Sequence, residues 1–278
     1  MPATVVLVLT ICIITRTGFN SIHTTLLCSD EYPMNRDFLQ ALQFLTRLPL
    51  AHNTEYHFAH AGKAVSWYGP TGLVIGLCLV LSGWAANLLL PPVVVAALVL
   101  GIWVAITGAL HLDGLGDCGD AWMGGHSAER MLEIMKDTSC GIGAIVAIVL
   151  VLLVKFSALT LLVSEGDWLL LVFAPVLARI SLSLVIYYFP YRRTDGLGAP
   201  LQESLDFSTI RISAALLLVL LCLVSLTGFI YGAIACLIAC AMIYWFLIKP
   251  IGGTTGDVYG ALVELTESMV LISLVALY

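Results

Sequence analysis

Long apolar runs separated by short polar clusters occupy most of the chain. About twenty apolar residues in helical form cross the roughly 30 Å of hydrocarbon in a bilayer, and the spacing of the runs predicts seven such crossings. The first covers about 65–90, with Gly69, Pro70 and Gly72 near its start, and Pro91-Pro92 separates it from a second at about 93–111. A polar segment, 112–140, precedes a third span at about 141–163, and a turn carrying Glu165 and Asp167 leads to a fourth at about 168–189. After the polar stretch YRRTDGLGAPLQESLDFSTIR, the run 212–248 is too long for one crossing and breaks at Thr227-Gly228 into spans five and six. A last helix follows KPIGGTTGD, at about 257–278. The pattern predicts an all-α, polytopic transmembrane helix bundle.

The N-terminal run ATVVLVLTICII is short for a crossing, and the polar stretch after it carries no helical pattern. Residues 1–33 therefore read as a non-essential extension, and 34–278 as a single membrane-embedded domain. Within NRDFLQALQFLTRL, Phe38, Leu42, Leu45 and Leu48 recur at helical spacing, which predicts an interfacial helix along the membrane surface.

Composition agrees with a membrane chain: 60% of residues are hydrophobic and 11% charged. The formal charge of −6 is concentrated in two short acidic clusters, so it gives no indication of a nucleic-acid partner. Arg36, Arg47, Lys63, Arg130, Lys136, Arg192, Arg193, Arg211 and Lys249 all fall in connections that seven spans place on one face, which the positive-inside rule makes cytoplasmic. The C-terminus is then outside. Only Lys155 and Arg179 lie within spans, where they are expected to face the bundle interior or an aqueous cavity. The eight cysteines show neither a CxxC repeat nor a Cys/His spacing, so they read as reduced packing residues.

The sequence HLDGLGDCGDAW places Asp113, Asp117 and Asp120 at i, i+4 and i+7, on one face of a helix within about 10 Å of rise. Three carboxylates so close repel unless a cation holds them, and an all-oxygen set suits magnesium. Gly114, Gly116 and Gly119 leave room for close approach. Further on, ERMLEIMKDTSCGIG puts Arg130, Glu133 and Asp137 at i, i+3 and i+7. GGTTGDVYGALVELTE places Asp257, Gly260, Glu264 and Glu267 on another shared face, after a loop, Gly252-Gly253-Thr254, able to offer backbone N–H groups to phosphate. Two acidic faces and glycine-rich backbone suggest metal-assisted phosphoryl transfer. The plainer alternatives stay open: solvated loop charges for the aspartates, ordinary surface pairs for Arg130 and Glu133, and an interfacial position for His111.

Together, QFLTRLPL (43–50), GALHLDGLGDCGDAW (108–122), RMLEIMKDTSCGIGA (130–144) and GGTTGDVYGALVELTE (252–267) resemble the cobalamin synthase family, the adenosylcobinamide-GDP ribazoletransferases, in order from about Met34 to the C-terminus. The resemblance implies a multi-pass enzyme of the bacterial inner membrane with its active site facing the cytoplasm. It also implies magnesium as cofactor, adenosylcobinamide-GDP and α-ribazole or its 5′-phosphate as substrates, and a second copy or other cobalamin-assembly enzymes as partners. A ribose hydroxyl would attack the cobinamide-linked phosphorus, and GMP would leave. On that reading Asp113, Asp117 and Asp120 bind magnesium, with Asp257, Glu264 and Glu267 completing the site from the last helix. Arg130 clamps phosphate, Asp137 is a metal ligand or general base, and Arg47 meets a nucleotide phosphate. His111, Gly252, Gly253, Thr254, Arg192 and Arg193 contact substrate, the arginines with Asp195 flanking the corrinoid.

Two other functions compete. The CDP-alcohol phosphotransferase pattern, D-x-x-D-G-x-x-A-R and onward, shares Asp117 and Asp120, but Ala121 replaces its glycine and the A-R step is missing. A cation- or proton-coupled transporter would carry acids near mid-span, whereas the acidic clusters read as lying at cytoplasmic ends.

Overall fold

The computed structural model describes residues 34–49, 60–193 and 198–278, so the expectations placed on residues 1–33 and Asp195 lie outside the described residues. Those residues form helices and turns, with a single isolated bridge between Tyr191 and Thr254. In chain order the helices are α1 (Met34–Leu45), α2 (Ala61–Asn87), α3 (Pro92–Thr107), α4 (Leu110–Gly124), α5 (Ala128–Ile134), α6 (Ile142–Glu165), α7 (Trp168–Tyr188), α8 (Phe207–Val224), α9 (Leu226–Ile251) and α10 (Gly256–Val275). Six of them, α2 and α6 to α10, are long and apolar enough to cross a membrane, and counting the bent pair α3 and α4 as one crossing makes seven. The protein is an all-α, multi-pass membrane bundle.

Burial sorts the helices. α7 is covered along almost its whole length and α10 along most of it, whereas α6, α8 and α9 turn most of their surface outward. Their exposed leucines and isoleucines, such as Leu150, Leu153, Leu216, Leu223 and Ile234, suit hydrocarbon rather than water. Lys155 and Arg179 face the interior, as expected of charges within spans. The α1 helix sets Leu42 and Leu45 into the core and leans Phe38 on Trp67, their ring centroids 5.4 Å apart. Its apolar stripe is thus consumed by the protein.

The structure redraws the second span. α3 ends at Thr107, and α4 leaves at 89° to it. Gly108 (φ 64°) and Ala109 (φ 56°) are successive left-handed residues, and Ala109 is the only non-glycine of positive φ among the described residues. Their N–H groups close the end of α3 by donating to Ala105 and Val104 oxygens at 3.2 and 3.1 Å. An Ala in that conformation costs about 1–2 kcal/mol, and hydropathy carries no trace of it because Gly-Ala-Leu reads as more apolar chain. α4 thus starts within the expected second span and lies largely in the segment 112–140 that reads as polar connection.

Other ends move less. The fifth crossing begins at Phe207, where Asp206 caps it, and the α8–α9 break falls at Ser225, whose Oγ accepts from Gly228 N at 3.0 Å. The α5 helix stops at Ile134, so Asp137 does not continue the face of Arg130 and Glu133.

Candidate active site

Two close crossings of α4 build the site. At the first, α4 meets α10: a Cβ on Gly114 would stand 2.8 Å from the Asp257 carbonyl oxygen, and one on Gly260 would stand 2.8 Å from the His111 carbonyl. Only bare backbone allows this approach. It brings Asp113 and Asp117, which flank Gly114, beside Asp257. Of the neighbouring carboxylates, Asp257 repels Asp117 most strongly, then Asp113, then Asp120, and Arg193 offsets them.

At the second crossing α4 meets α6. A Cβ on Gly119 would lie 2.8 Å from Gly143 O. This closeness lets Asp120 cap the α6 N-terminus, Oδ2 accepting from Gly141 N at 2.7 Å and Oδ1 from Ala144 N at 2.9 Å. Asp120 shares a helical face with Asp113 and Asp117, but its oxygens already serve the neighbouring helix.

Arg193 is set by the loop before α10. Thr254 N donates to Pro190 O at 2.9 Å and Arg192 N to Thr254 O at 2.8 Å, which aligns 190–193 with that loop. Arg193 Nη2 then reaches Asp257 Oδ2 at 2.7 Å. The expectation that Gly252, Gly253 and Thr254 present N–H groups to phosphate meets a different arrangement. Gly252 and Gly253 donate to Ile248 O, at 2.9 and 3.1 Å, and Thr254 to Pro190, because the chain reverses at Gly252 (φ 78°) to end α9. The loop holds an arginine in place of offering its own amides. Arg192 itself is exposed beside it.

The remaining expected residues fall into three groups. Arg47 sits on the α3–α4 corner: its N donates to Ile106 O at 2.7 Å, and a Cβ on Gly108 would lie 2.6 Å from its Nε. Arg130 pairs with Glu133 at 2.7 Å on the exposed side of α5, an ordinary i,i+3 surface pair. Asp137 Oδ1 accepts from Ser139 N and Oγ, at 3.0 and 2.7 Å, and these hydrogen bonds hold its carboxyl below the usual carboxylate range. No hydrogen bond or ion pair among the described residues joins Arg130 or Asp137 to the Asp113–Asp117–Asp257 group.

Glu264 and Glu267 are two to three turns deeper in α10, at mid-span rather than at its end. Lys155 Nζ meets Glu264 Oε2 at 2.6 Å and also pairs with Glu267, which in turn pairs with Arg179. All four side chains are buried, so these carboxylates serve a closed, neutral quartet rather than the aspartate group. Acids do lie at mid-span, then, but with their counter-charges beside them.

Between α4 and α10 lies a cavity of about 200 Å³ lined by Asp113, Asp257, Arg193 and His111 on its polar part and by Phe44 and Tyr68 on its apolar part. His111 is buried, 3% exposed, rather than interfacial. As to a metal, no three His, Cys, Asp or Glu side chains among the described residues converge as a ready cage. Magnesium asks for less: it keeps several waters and binds through one or two carboxylates plus substrate phosphate oxygens. The oxygen-only set Asp117, Asp257 and Asp113 fits that demand.

The family model for cobalamin-5-phosphate synthase matches residues 37–275. The chain belongs to this family. It is similar to the adenosylcobinamide-GDP ribazoletransferase of Pseudomonas aeruginosa PAO1, 43% identical over 86% of this chain and 97% of that protein. The proteins of the same name from Pseudomonas paraeruginosa PA7 and Acinetobacter baumannii ACICU are 44% and 38% identical, over 86% and 87% of this chain and 97% of each. No solved structure matches it significantly. As a cobalamin synthase family member the chain is a transferase, and its acidic group sits on α4 and α10, within the matched segment.

Sequence reasoning overlooks three features of this family member's site: Arg193 as the partner of Asp257, Asp120 as a helix cap, and the quartet. For the last a signal existed, since two mid-span bases and two acids of the last helix must find one another in a low dielectric.

Proposed function

We propose that the chain transfers the cobinamide phosphate of adenosylcobinamide-GDP to a hydroxyl of α-ribazole or α-ribazole 5′-phosphate, releasing GMP, at the cytoplasmic face of a bacterial inner membrane. The observation that carries the reading is the meeting of Asp113, Asp117 and Asp257 with Arg193 at the mouth of a cavity, in a chain of this family. Asp117 and Asp257 would hold magnesium, which supplies charge neutralisation of the diphosphate.

The rest is the work of the chain's own residues. Arg193 is held against Asp257 at 2.7 Å and is placed to grip a phosphate oxygen there. Arg47, on the corner where α4 begins, offers a second guanidinium to the departing nucleotide. Asp113 is exposed and lines the cavity, so it is the carboxylate to take the proton of the attacking hydroxyl. The acceptor oxygen then forms its bond to the cobinamide-linked phosphorus as the bond to GMP breaks, and GMP carries off the electron pair. Positioning and charge offset account for most of such a reaction.

The basic residues Arg47, Arg193, Arg211 and Lys249 belong to the same end of the bundle as the acids, which supports a cytoplasmic site through the positive-inside rule. The decisive experiment adds adenosylcobinamide-GDP, α-ribazole and magnesium to washed membranes containing the chain and measures GMP. GMP release that stops when the magnesium is chelated is the expected result. No release, or release indifferent to chelation, overturns the reading.

A further inference from the structure

The ion pairs of α10 are of two kinds. In the interior, Arg179 and Glu267 have side chains 0 and 1% exposed, and Lys155 and Glu264 complete their set. At the end of the helix, the side chains of Arg193 and Asp257 are 16 and 17% exposed and both line the open cavity. Arg193 comes to Asp257 with one nitrogen, Nη2, and its buried Nε has no hydrogen-bond partner among the described residues. A guanidinium that grips a carboxylate firmly does so through two parallel N–H groups. This one meets a single oxygen and leaves Nε idle.

The backbone leaves that side chain free to turn. The bonds that align this segment with the loop before α10 join Pro190 O to Thr254 N and Arg192 N to Thr254 O. Arg193 is the next residue, so its guanidinium can swing off Asp257 without breaking either bond. Charge explains why it stays there. Asp113, Asp117 and Asp257 repel one another, and Arg193 is the one cation among the charges that act most on Asp117 and Asp257. A magnesium ion held by Asp117 and Asp257 answers the same need, and two cations at one carboxylate repel each other.

We infer that Arg193 holds the place of the divalent ion while none is bound, and that it leaves Asp257 for the donor's diphosphate when the ion is taken up. The inference rests on the transferase reading above and adds a regulation of its site. With no phosphate to receive it, Arg193 competes with the ion. With the diphosphate present, the same arginine binds beside the ion, so donor and ion each strengthen the other's binding. The carboxylates are thereby kept from capturing a divalent cation before the donor arrives.

The test reads ion binding on the full chain in detergent with no nucleotide present. Manganese(II), which suits the same oxygen ligands, is titrated, and the free ion is counted by its electron paramagnetic resonance signal. Arg193→Met is expected to bind manganese about tenfold or more tightly than the unmodified chain, because the competing charge is gone. Arg192→Met removes an equal charge from the exposed neighbouring position and is expected to stay within about threefold of the unmodified chain. An arginine that only props up the carboxylates predicts the opposite sign, weaker binding in Arg193→Met. That result, unchanged affinity, or equal tightening in both variants overturns the inference. Should Arg193→Met fail to fold, a structure of the unmodified chain with magnesium and no nucleotide decides. The ion on Asp117 and Asp257 with the Arg193–Asp257 pair broken is the expected arrangement, and the ion seated there with the pair intact overturns the exchange. No ion binding in any of the chains overturns it together with the metal assignment. GMP release is assayed separately: its absence refutes the transferase reading, whereas release accompanied by unchanged manganese affinity in Arg193→Met refutes only the exchange.

Discussion

Replacing Glu267 by glutamine preserves shape and removes one charge from a set that is neutral only as a whole. Lys155 and Arg179 supply two positive charges and Glu264 and Glu267 two negative ones, with side-chain exposures of 3, 0, 5 and 1%. Glu267 is the hub, the carboxylate bonded to both cations, and Arg179 reaches it through Nη1 alone, Nε and Nη2 having no hydrogen-bond partner among the described residues. In Glu267→Gln, Arg179 keeps its charge and loses the one carboxylate bonded to it among the described residues. Breaking one partner of a buried ion pair costs about 3–5 kcal/mol, a large part of the roughly 5–15 kcal/mol that separates folded from unfolded states. The corresponding fall in the unfolding temperature of a domain this size is roughly 10 °C, readable by tryptophan fluorescence in detergent. Arg179→Met should cost a similar amount. The pair of changes together restores neutrality, leaves Lys155 with Glu264, and should cost no more than the worse single change, a coupling of about 3 kcal/mol. Additive losses, or a Glu267→Gln protein that melts within about 2 °C of the original, would refute the account of a charge-compensated lock.

Three further outcomes are expected. Asp117→Asn should lower kcat about a hundredfold or more with insertion and melting intact, whereas Asp120→Asn, which loses part of a helix cap, should destabilise by about 1 kcal/mol and keep most activity; comparing GMP release and unfolding for the two separates the roles. Gly114→Ala puts a methyl 2.8 Å from the Asp257 carbonyl oxygen, so it should force α4 and α10 apart, cost about 1–3 kcal/mol, and impair turnover at temperatures where the protein is still folded. Asp206 caps α8, and hydrogen bonds led by the Thr209 hydroxyl hold its carboxyl below the ordinary range. Its contribution, about 1 kcal/mol relative to Asp206→Ala, is thus complete above about pH 4 and lost as pH falls through the lowered native value. A melting difference between the two proteins that is unchanged on acidification would contradict this.

How far the sequence reveals this structure depends on which force dominates each segment. Hydropathy locates α2, α6, α7 and α10 to within a few residues because solvent selection by the bilayer acts on the average of many side chains. The α3–α4 corner escapes it, since the bend resides in two φ angles at Gly108 and Ala109 and not in polarity. Helical periodicity places Asp113, Asp117 and Asp120 together on one face of α4, but it cannot say which neighbouring helix each meets. That choice is made by where bare glycine permits contact: Gly114 admits α10, and Gly119 admits α6. One turn of helix therefore separates an aspartate that meets Asp257 from an aspartate that caps.

The same limit applies to the last helix and shows what the site requires. Asp257, Gly260, Glu264 and Glu267 share a face of α10, and spacing alone groups them as ligands. The bundle divides them by depth instead: about 15 Å of helical rise separates Asp257 from Glu267, enough to pass from the wet end to the interior. At the end, Asp257 meets Asp113 and Asp117 with one arginine, Arg193, set against the three carboxylates. In the interior no excess can persist, and two bases match the two acids. Carboxylates thus outnumber their counter-charges at the end of α10 and match them in the bundle interior. The quartet bonds α10 to α6 and α7 one to two turns below His111 and Gly260, so the depth of the last helix, and with it the position of Asp257 against α4, is set from within the membrane.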